Sequence, residues 1–355
     1  MVGVVNMLKR MKAGIYSGPQ DIKIEEITIP AVKPGHVLVD NIASGICGSD
    51  LHRYFGEWDQ PKVKVATGHE FSGVVVEVGT GVTDIVVGDR VCPECFSHCG
   101  QCTFCRIGQY NLCENIRYLS AEGPGGFAEY SLLSASSVFK LPDSISFEEG
   151  ALIEPLAVSY RSVLRTSASH KDRMFIFGAG TIGLFCLAVA KVIGVREVII
   201  SAKYEHQAKM AEKLGVDYVM RVPTQDVENE IKTVSKTKNG KIDVVIDTIA
   251  TEQTFHDALS TVRKAGTVCL VGGYTKPLNA SLRPIVSKEL HVLGSACYSY
   301  SGIKKDFDAV IDIIATKKID VIPLITHRFP LNEIEEAFKI AADKISGSIK
   351  VLINQ

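Results

Sequence analysis

Through the first ninety or so positions, apolar and polar residues alternate in short runs that turn residues interrupt. Residues 22–25, 37–39, 74–79 and 86–91 have the composition of strands, and Gly18-Pro19 and Lys33-Pro34-Gly35 separate the first of them. β-Branched residues dominate these runs, as a pleated and half-buried surface requires. They predict an antiparallel, partly open barrel. Further on, residues 141–149 open a helix, with Ser146 as N-cap and Glu149 three positions later completing a capping box. Glu154-Pro155 falls within that helical run, and the proline is expected to break its backbone regularity there.

The pattern then changes. A compact apolar run, Met174 to Phe177, is followed by Gly178-Ala179-Gly180-Thr181-Ile182-Gly183 and an apolar helix, residues 184–191. Further strand-like runs at 198–201, 218–220, 244–247, 268–271 and 291–293 alternate with helical stretches, the signature of a doubly wound parallel sheet. Amphipathic helices at 305–316 and 331–342 and a last strand at 349–353 end the chain. The predicted organisation is an α/β protein of two domains. Residues 1–158 and 301–355 form the barrel domain, which carries a cysteine-rich lobe at 92–113, and residues 159–300 form the nucleotide domain.

The length of 355 residues suits two cores. Residues 1–12 contain neither a sustained apolar stretch nor a cleavage pattern, and are expected to be a loosely packed extension before a domain beginning near Met11. A hydrophobic share of 46%, a charged share of 22% and a net charge of -1 are those of an ordinary globular protein, with no basic surface to attract nucleic acid or acidic membrane. No apolar run reaches the length of a membrane span. The expectation is a cytoplasmic protein whose partner is a small molecule.

Chemistry enters through cysteine, histidine and acid. Six of the ten cysteines fall between Cys92 and Cys113, which favours metal over disulfides. Cys99, Cys102, Cys105 and Cys113 have the spacing C-x2-C-x2-C-x7-C, able to enclose a zinc ion with no place for water. Cys92 and Cys95 are additional, and Cys186 and Cys269 read as core thiols. Elsewhere Cys47, His69, Glu70 and Glu154 supply one thiolate, one imidazole and two carboxylates, a ligand set for zinc with a position left open to substrate. The glycine motif, with a strand before it and a helix after it, reads as a dinucleotide fingerprint. Gly178 makes the tight turn, Gly180 admits the pyrophosphate against Thr181 and Ile182 at the helix start, and Gly183 allows close packing.

Gly68-His69-Glu70 with Gly73, Gly79 and Val82, together with Cys47-Gly48-Ser49-Asp50, resembles the signature of the zinc-containing medium-chain dehydrogenase/reductases. The resemblance runs from Met11 to the C-terminus. It implies a GroES-like catalytic domain, a Rossmann domain, and two zinc ions per chain, one catalytic and one structural. Cys47 and His69 are implied as catalytic ligands, with Glu70 or Glu154 as the third. Asp50 is implied to accept the imidazole N–H of His69. Ser49 is implied to take the alcohol's proton and His52 to pass it to solvent through the nicotinamide-ribose hydroxyl. Lys350 matches a position that reaches the cofactor phosphates. A glutamate at 154 resembles the sorbitol and threonine dehydrogenases, where the ethanol-oxidising branch has cysteine. The implied assembly is a dimer or tetramer.

Ala202 stands at the end of the second nucleotide-domain strand, where NAD enzymes carry an acid, and Lys203 follows it. This favours NADP slightly over NAD, since Lys203 is able to pair with a 2′-phosphate. Thr248, Gly272, Gly273 and Ala296, at later strand ends, are expected to line the cofactor. The expected substrate is a polyol or another secondary alcohol, with a threonine- or butanediol-type activity as the alternative and a catalytically silent zinc-binding relative as the rival from outside enzymology. Cys297-Tyr298 stands where mammalian-type sorbitol enzymes have Arg-Tyr, which argues against sorbitol itself. Arg53, Trp58, Arg117 and Tyr118 are candidate pocket residues suited to an anionic or phosphorylated substrate.

Overall fold

The computed structural model describes residues 9–58, 66–224, 227–234 and 241–355. The expectation for positions 1–8 lies outside the described residues, and the first strand, Arg10–Gly18, begins just before the expected domain start. The chain divides into two compact units, residues 1–154 with 325–355, and residues 155–324.

The first unit is a curved, mostly antiparallel sheet domain. It is built on a seven-stranded sheet in the order Ile325–Pro330, Lys350–Asn354, His36–Gly45, Glu70–Val78, Arg90–Pro93 and Val138–Lys140, with Tyr130–Ser134 also pairing with His36–Gly45. His36–Gly45 is the hub. Its first half meets Tyr130–Ser134 and its last residues meet Lys350–Asn354, while the whole strand runs antiparallel to Glu70–Val78. Register shifts after Leu38 and Asn41 bend it, which lets one strand serve a curved sheet. Alternate residues Val37, Val39, Phe71 and Val75 enter a core with Val91 and Leu133. A second core joins the Arg10–Gly18 strand to the helix Ile334–Ala342 through Ile15, Tyr16, Phe127 and Phe338.

One expected strand is shorter than predicted. In the run 86–91, Val86 and Val87 are exposed and only Arg90–Pro93 is strand. Asp89 accepts the Val86 amide at 2.8 Å and Gly88 is left-handed at φ +94°, so this segment is a turn that delays pairing.

The second unit is a six-stranded sheet, parallel throughout, in the order Tyr218–Arg221, Glu197–Ala202, Arg173–Phe177, Ile242–Asp247, Val262–Leu270 and His291–Gly294. The order reverses on either side of Arg173–Phe177, the position at which such sheets take a dinucleotide at the strand carboxyl ends. Its three central strands, Glu197–Ala202, Arg173–Phe177 and Ile242–Asp247, are near-continuously buried, as strands covered by helices on both faces must be.

The return to the first unit comes at Ile325 rather than at 301. The helix Asp306–Ala315 belongs with the second unit because Asp306, fully buried, accepts the Ser299 amide at 2.7 Å and pairs with Arg161 at 3.4 Å. The break near Glu154 also differs from expectation. Phe147–Ala151 ends at Leu152, and a new helix, Ile153–Arg165, starts with Glu154 in its first turn. The discontinuity thus precedes the acid, and Pro155 sits in a first turn, where a missing N–H costs nothing. The Ser146–Glu149 capping box is present. Among the described residues no helix is long and apolar enough to cross a membrane.

Candidate metal and dinucleotide sites

Cys47 leaves the central strand of the first unit as N-cap of the helix Gly48–Tyr54. Buried Asp50 accepts the Cys47 amide at 2.9 Å, which fixes the thiol-bearing turn. His69 immediately precedes Glu70–Val78. Gly68 before it is left-handed at φ +90°, and a Cβ there would lie 2.9 Å from the Phe127 ring, so no other residue fits this approach. Amides of Gly126 and Phe127 donate to Gly68 and Thr67 carbonyls at 2.9 and 3.0 Å, locking the turn.

One donor atom each from Cys47, His69 and Glu70 lie within 4.8 Å of one another. Donors about 2.0–2.3 Å from one tetrahedral ion sit about 3.3–3.8 Å apart, so small side-chain adjustments close this group on zinc. The electrostatics agree. Burial works against a charged His69, yet the Cys47 sulfur, Asp50 and Glu154 outweigh it and raise its pKa well above normal. So anionic a surrounding calls for a cation. Glu154 is buried and acts electrostatically on this group but lies outside the 4.8 Å set. Asp50 faces His69 electrostatically, and burial raises its own pKa against that attraction.

Ser49 is half-buried in the first turn of the same helix, and His52 one turn later is partly exposed. His52 Nδ1 lies 2.5 Å from Glu57 Oε2, and the ring stacks on Trp58 with centroids 5.2 Å apart. Sequence reasoning missed Glu57; its spacing of five from His52 matches no regular periodicity. Trp58 is held by this stack, and Arg117 and Tyr118 are exposed on a two-stranded ribbon paired with Phe96–Ser97.

Lys350 departs most from expectation. It is buried in the first unit, where its ammonium pairs with Glu70 Oε2 and donates to the Ile46 carbonyl at 2.9 Å. Its charge is engaged by a carboxylate of the metal group.

The cysteine lobe is closed. Sγ atoms of Cys99, Cys102, Cys105 and Cys113 are separated by 3.5 Å (Cys102–Cys105 and Cys99–Cys113), 3.9 Å (Cys102–Cys113) and 4.0 Å (Cys99–Cys105). These match the edge of about 3.8 Å expected for four sulfurs around tetrahedral zinc. Amides of Gln101 and Cys102 lower the Cys99 pKa to about 6, as a thiolate site requires, while burial pushes Cys105 up to about 12. Cys92 and Cys95 are buried and stand outside this tetrad.

In the second unit, Gly178 follows the central strand at φ +95°. Thr248 Oγ1 donates to the Phe177 carbonyl at 2.7 Å, and Gly178 N donates to Ser201 Oγ at 2.9 Å, so neighbouring strands brace the turn. A Cβ on Gly183 would lie 1.8 Å from the Gly178 oxygen, whereas Gly180, N-cap of Thr181–Val192, has nothing within 4 Å. The cradle suits a pyrophosphate at the helix start, with Thr181 and Ile182 in its first turn. Ala202 ends its strand buried, and exposed Lys203 lies over the Tyr204 ring at 5.5 Å. Gly272 packs on Ala250, while Gly273 and Ala296 are exposed at later strand ends. Fully buried Asp247, which motif reading passed over, accepts Ile249 and Ala250 amides, Thr254 Oγ1 and Tyr274 OH at 2.6–3.1 Å and so shapes the loop carrying Thr248.

Two family profiles match the chain: the alcohol dehydrogenase GroES-like domain over residues 33–143 and zinc-binding dehydrogenase over residues 181–316. The chain is 35% identical to a sorbitol dehydrogenase of Arabidopsis thaliana over 346 residues, 95% of this chain and 93% of the relative. It is 34% identical to an L-threonine 3-dehydrogenase of Pyrococcus abyssi over 336 residues, 93% of this chain and 95% of the relative. Among solved structures, a putative zinc-binding dehydrogenase from Sinorhizobium meliloti 1021 bound to NADP superposes with a TM-score of 0.87 at 30% identity, covering 98% of this chain and all of that one. With GroES-like and Rossmann-type units, a thiolate–imidazole–carboxylate group and a four-cysteine lobe, the chain belongs to the zinc-containing medium-chain dehydrogenases, an oxidoreductase near the sorbitol and threonine dehydrogenase branch.

Proposed function

We propose that this protein reversibly dehydrogenates a polyol or another secondary alcohol, using NAD(P), with two zinc ions per chain. The observation that carries the reading is the Cys47–His69–Glu70 group, three different donors within 4.8 Å in an anionic environment. When bound, zinc supplies Lewis acidity toward the alcohol oxygen, and nicotinamide accepts the hydride. Cys47 and His69 hold the ion with a carboxylate from Glu70 or Glu154, and Asp50 fixes the Cys47 turn. Ser49 Oγ takes the alcohol's proton, and His52 passes it outward from Nε2, its Nδ1 being engaged by Glu57. The four-cysteine lobe holds the second, structural zinc.

NADP is favoured over NAD by Ala202, which offers no repulsion to a 2′-phosphate, and by Lys203 beside it. Ten free cysteines fit a reducing cytoplasm. A dimer or tetramer is the assembly suggested by the family. A threonine- or butanediol-type activity is the second reading, supported by the threonine dehydrogenase relative. Elemental zinc analysis combined with reduced-nicotinamide absorbance over a panel of polyols, threonine and butanediol, with both cofactors, tests the proposal. Zinc in the four-cysteine lobe alone, with no turnover on the panel, refutes it and leaves a silent zinc-binding relative.

A further inference from the structure

The helix Gly48–Tyr54 ends in a defined closure. Phe55 is its C-cap, and Gly56 follows in the left-handed region at φ +73°. The Gly56 amide then donates to the Arg53 carbonyl and the Glu57 amide to the His52 carbonyl, both at 2.9 Å. In this Schellman closure the second residue past the cap is laid against the third residue from the helix end, and the two commonly make an apolar contact. Here they are an acid and an imidazole, and Glu57 Oε2 meets His52 Nδ1 at 2.5 Å. Where the helix stops is decided from outside it. The turn between strands Arg10–Gly18 and Asp21–Thr28 brings the Gln20 amide to the Tyr54 carbonyl at 2.6 Å and sets Pro19 Cγ 3.0 Å from a Cβ on Gly56.

The pair is 36% and 43% exposed, and ion pairs of that kind add little to stability. Its consequence is orientation. The His52 ring is stacked on Trp58 with centroids 5.2 Å apart and planes 17° from parallel, so its plane is held while Glu57 holds one edge. An ionised carboxylate only accepts, so the hydrogen of the neutral ring must be on Nδ1, which leaves the lone pair on Nε2. A ring without such a partner exchanges its hydrogen between the two nitrogens. The same carboxylate balances the charge of the imidazolium that forms once Nε2 is protonated.

We propose that Glu57 is a positioning residue for proton transfer: by accepting the Nδ1 hydrogen of His52 it presents the Nε2 lone pair to the incoming proton, and it steadies the imidazolium until Nε2 gives that proton to water. The proposal rests on the His52 relay read above.

Two measurements test it. The first uses protein labelled with 15N-histidine, without cofactor, at a pH where the ring is neutral; the His52 signals are assigned by their loss in His52→Gln. The hydrogen is expected on Nδ1 in the wild type and no longer fixed there in Glu57→Leu, a substitution that supplies the apolar residue this closure commonly carries. The second is the single-turnover rate of nicotinamide reduction. Glu57→Leu is expected to lower it about tenfold, the size of one charge-assisted hydrogen bond, with cofactor affinity unchanged. Added to His52→Gln, the same substitution is expected to cost nothing further, since residues acting as one unit are not additive. An unchanged tautomer in Glu57→Leu, or a loss of rate that adds in full to that of His52→Gln, overturns the proposal. Should Glu57→Leu not fold, Glu57→Gln decides: its amide oxygen still accepts from Nδ1 but carries no charge, so the tautomer holds while the rate falls, and an unchanged rate overturns the idea. A His52→Gln protein that reacts at the wild-type rate removes the relay itself and the proposal with it, a failure distinguishable because the wild-type tautomer stays on Nδ1.

Discussion

At Gly183 a side-chain carbon would meet the Gly178 carbonyl oxygen at 1.8 Å, while at Gly180 nothing lies within 4 Å. The two glycines of one motif therefore answer to different demands, helix-to-turn packing and room for a ligand. Gly183→Ala is expected to lower stability by about 1–3 kcal/mol or more, the range for overpacking, because backbone must move. Gly180→Ala is expected to leave the melting temperature near wild type and weaken dinucleotide binding; thermal melts and cofactor titration separate the two. Ala202 and Lys203 call for a second pair. Ala202→Asp is expected to move the kcat/KM ratio toward NAD, and Lys203→Ala to lower NADP use about tenfold, the size of one charge-assisted hydrogen bond. Equal ratios in wild type and variants would discard Lys203 as a 2′-phosphate contact.

Among the elements, the helix of the cysteine lobe has little besides its thiols to hold it. This helix, Thr103–Arg106, is four residues long, has no buried residue, and takes Cys102 as its N-cap. Without metal such a turn does not persist. Cys102→Ser is expected to lose one zinc per chain and open residues 99–113 to trypsin at Arg106, visible as a single early cleavage by mass spectrometry. Contacts between elements also leave a trace in pH. Glu148 receives a bidentate pair from Arg328 at 2.7 and 2.8 Å, joining the helix Phe147–Ala151 to the strand Ile325–Pro330. That hydrogen bonding lowers the Glu148 pKa in the folded protein, against a smaller opposing effect of burial. A carboxyl with a depressed folded pKa stabilises above its unfolded value, about 4.3, and loses that contribution as pH falls through the folded value. Melting temperatures of wild type and Glu148→Gln are therefore expected to differ at neutral pH and converge below about pH 4.

For the molecule as a whole, the two metal groups lie in one unit and the glycine cradle in the other. Two zinc ions per chain are expected by elemental analysis, and one in Cys47→Ser, with the lobe still resistant to trypsin. A Cys47→Ser protein that keeps both ions would contradict the ligand assignment. The division of the chain was partly legible. The change from period-two alternation to strand–helix repeats puts the first crossing after residue 158, and the two compact units divide after Glu154. The second crossing carries no such mark, since an amphipathic helix at 306–315 suits either unit. The buried Arg161–Asp306 pair assigns it, and those partners are 145 positions apart.

The sequence by itself determined the kinds of atoms available and the local turns that present them: four sulfurs within fifteen positions, a glycine before His69, three glycines between a strand and a helix. These follow from spacing along the chain, where neighbours must be close. Tertiary structure alone decided that Lys350 faces Glu70 across 280 positions, that Glu57 holds His52 Nδ1, and that the backbone breaks before Glu154 rather than at Pro155. The reason is physical. A lysine's partner depends on strand register and on the empty space above Gly45, and neither is a property of any local stretch.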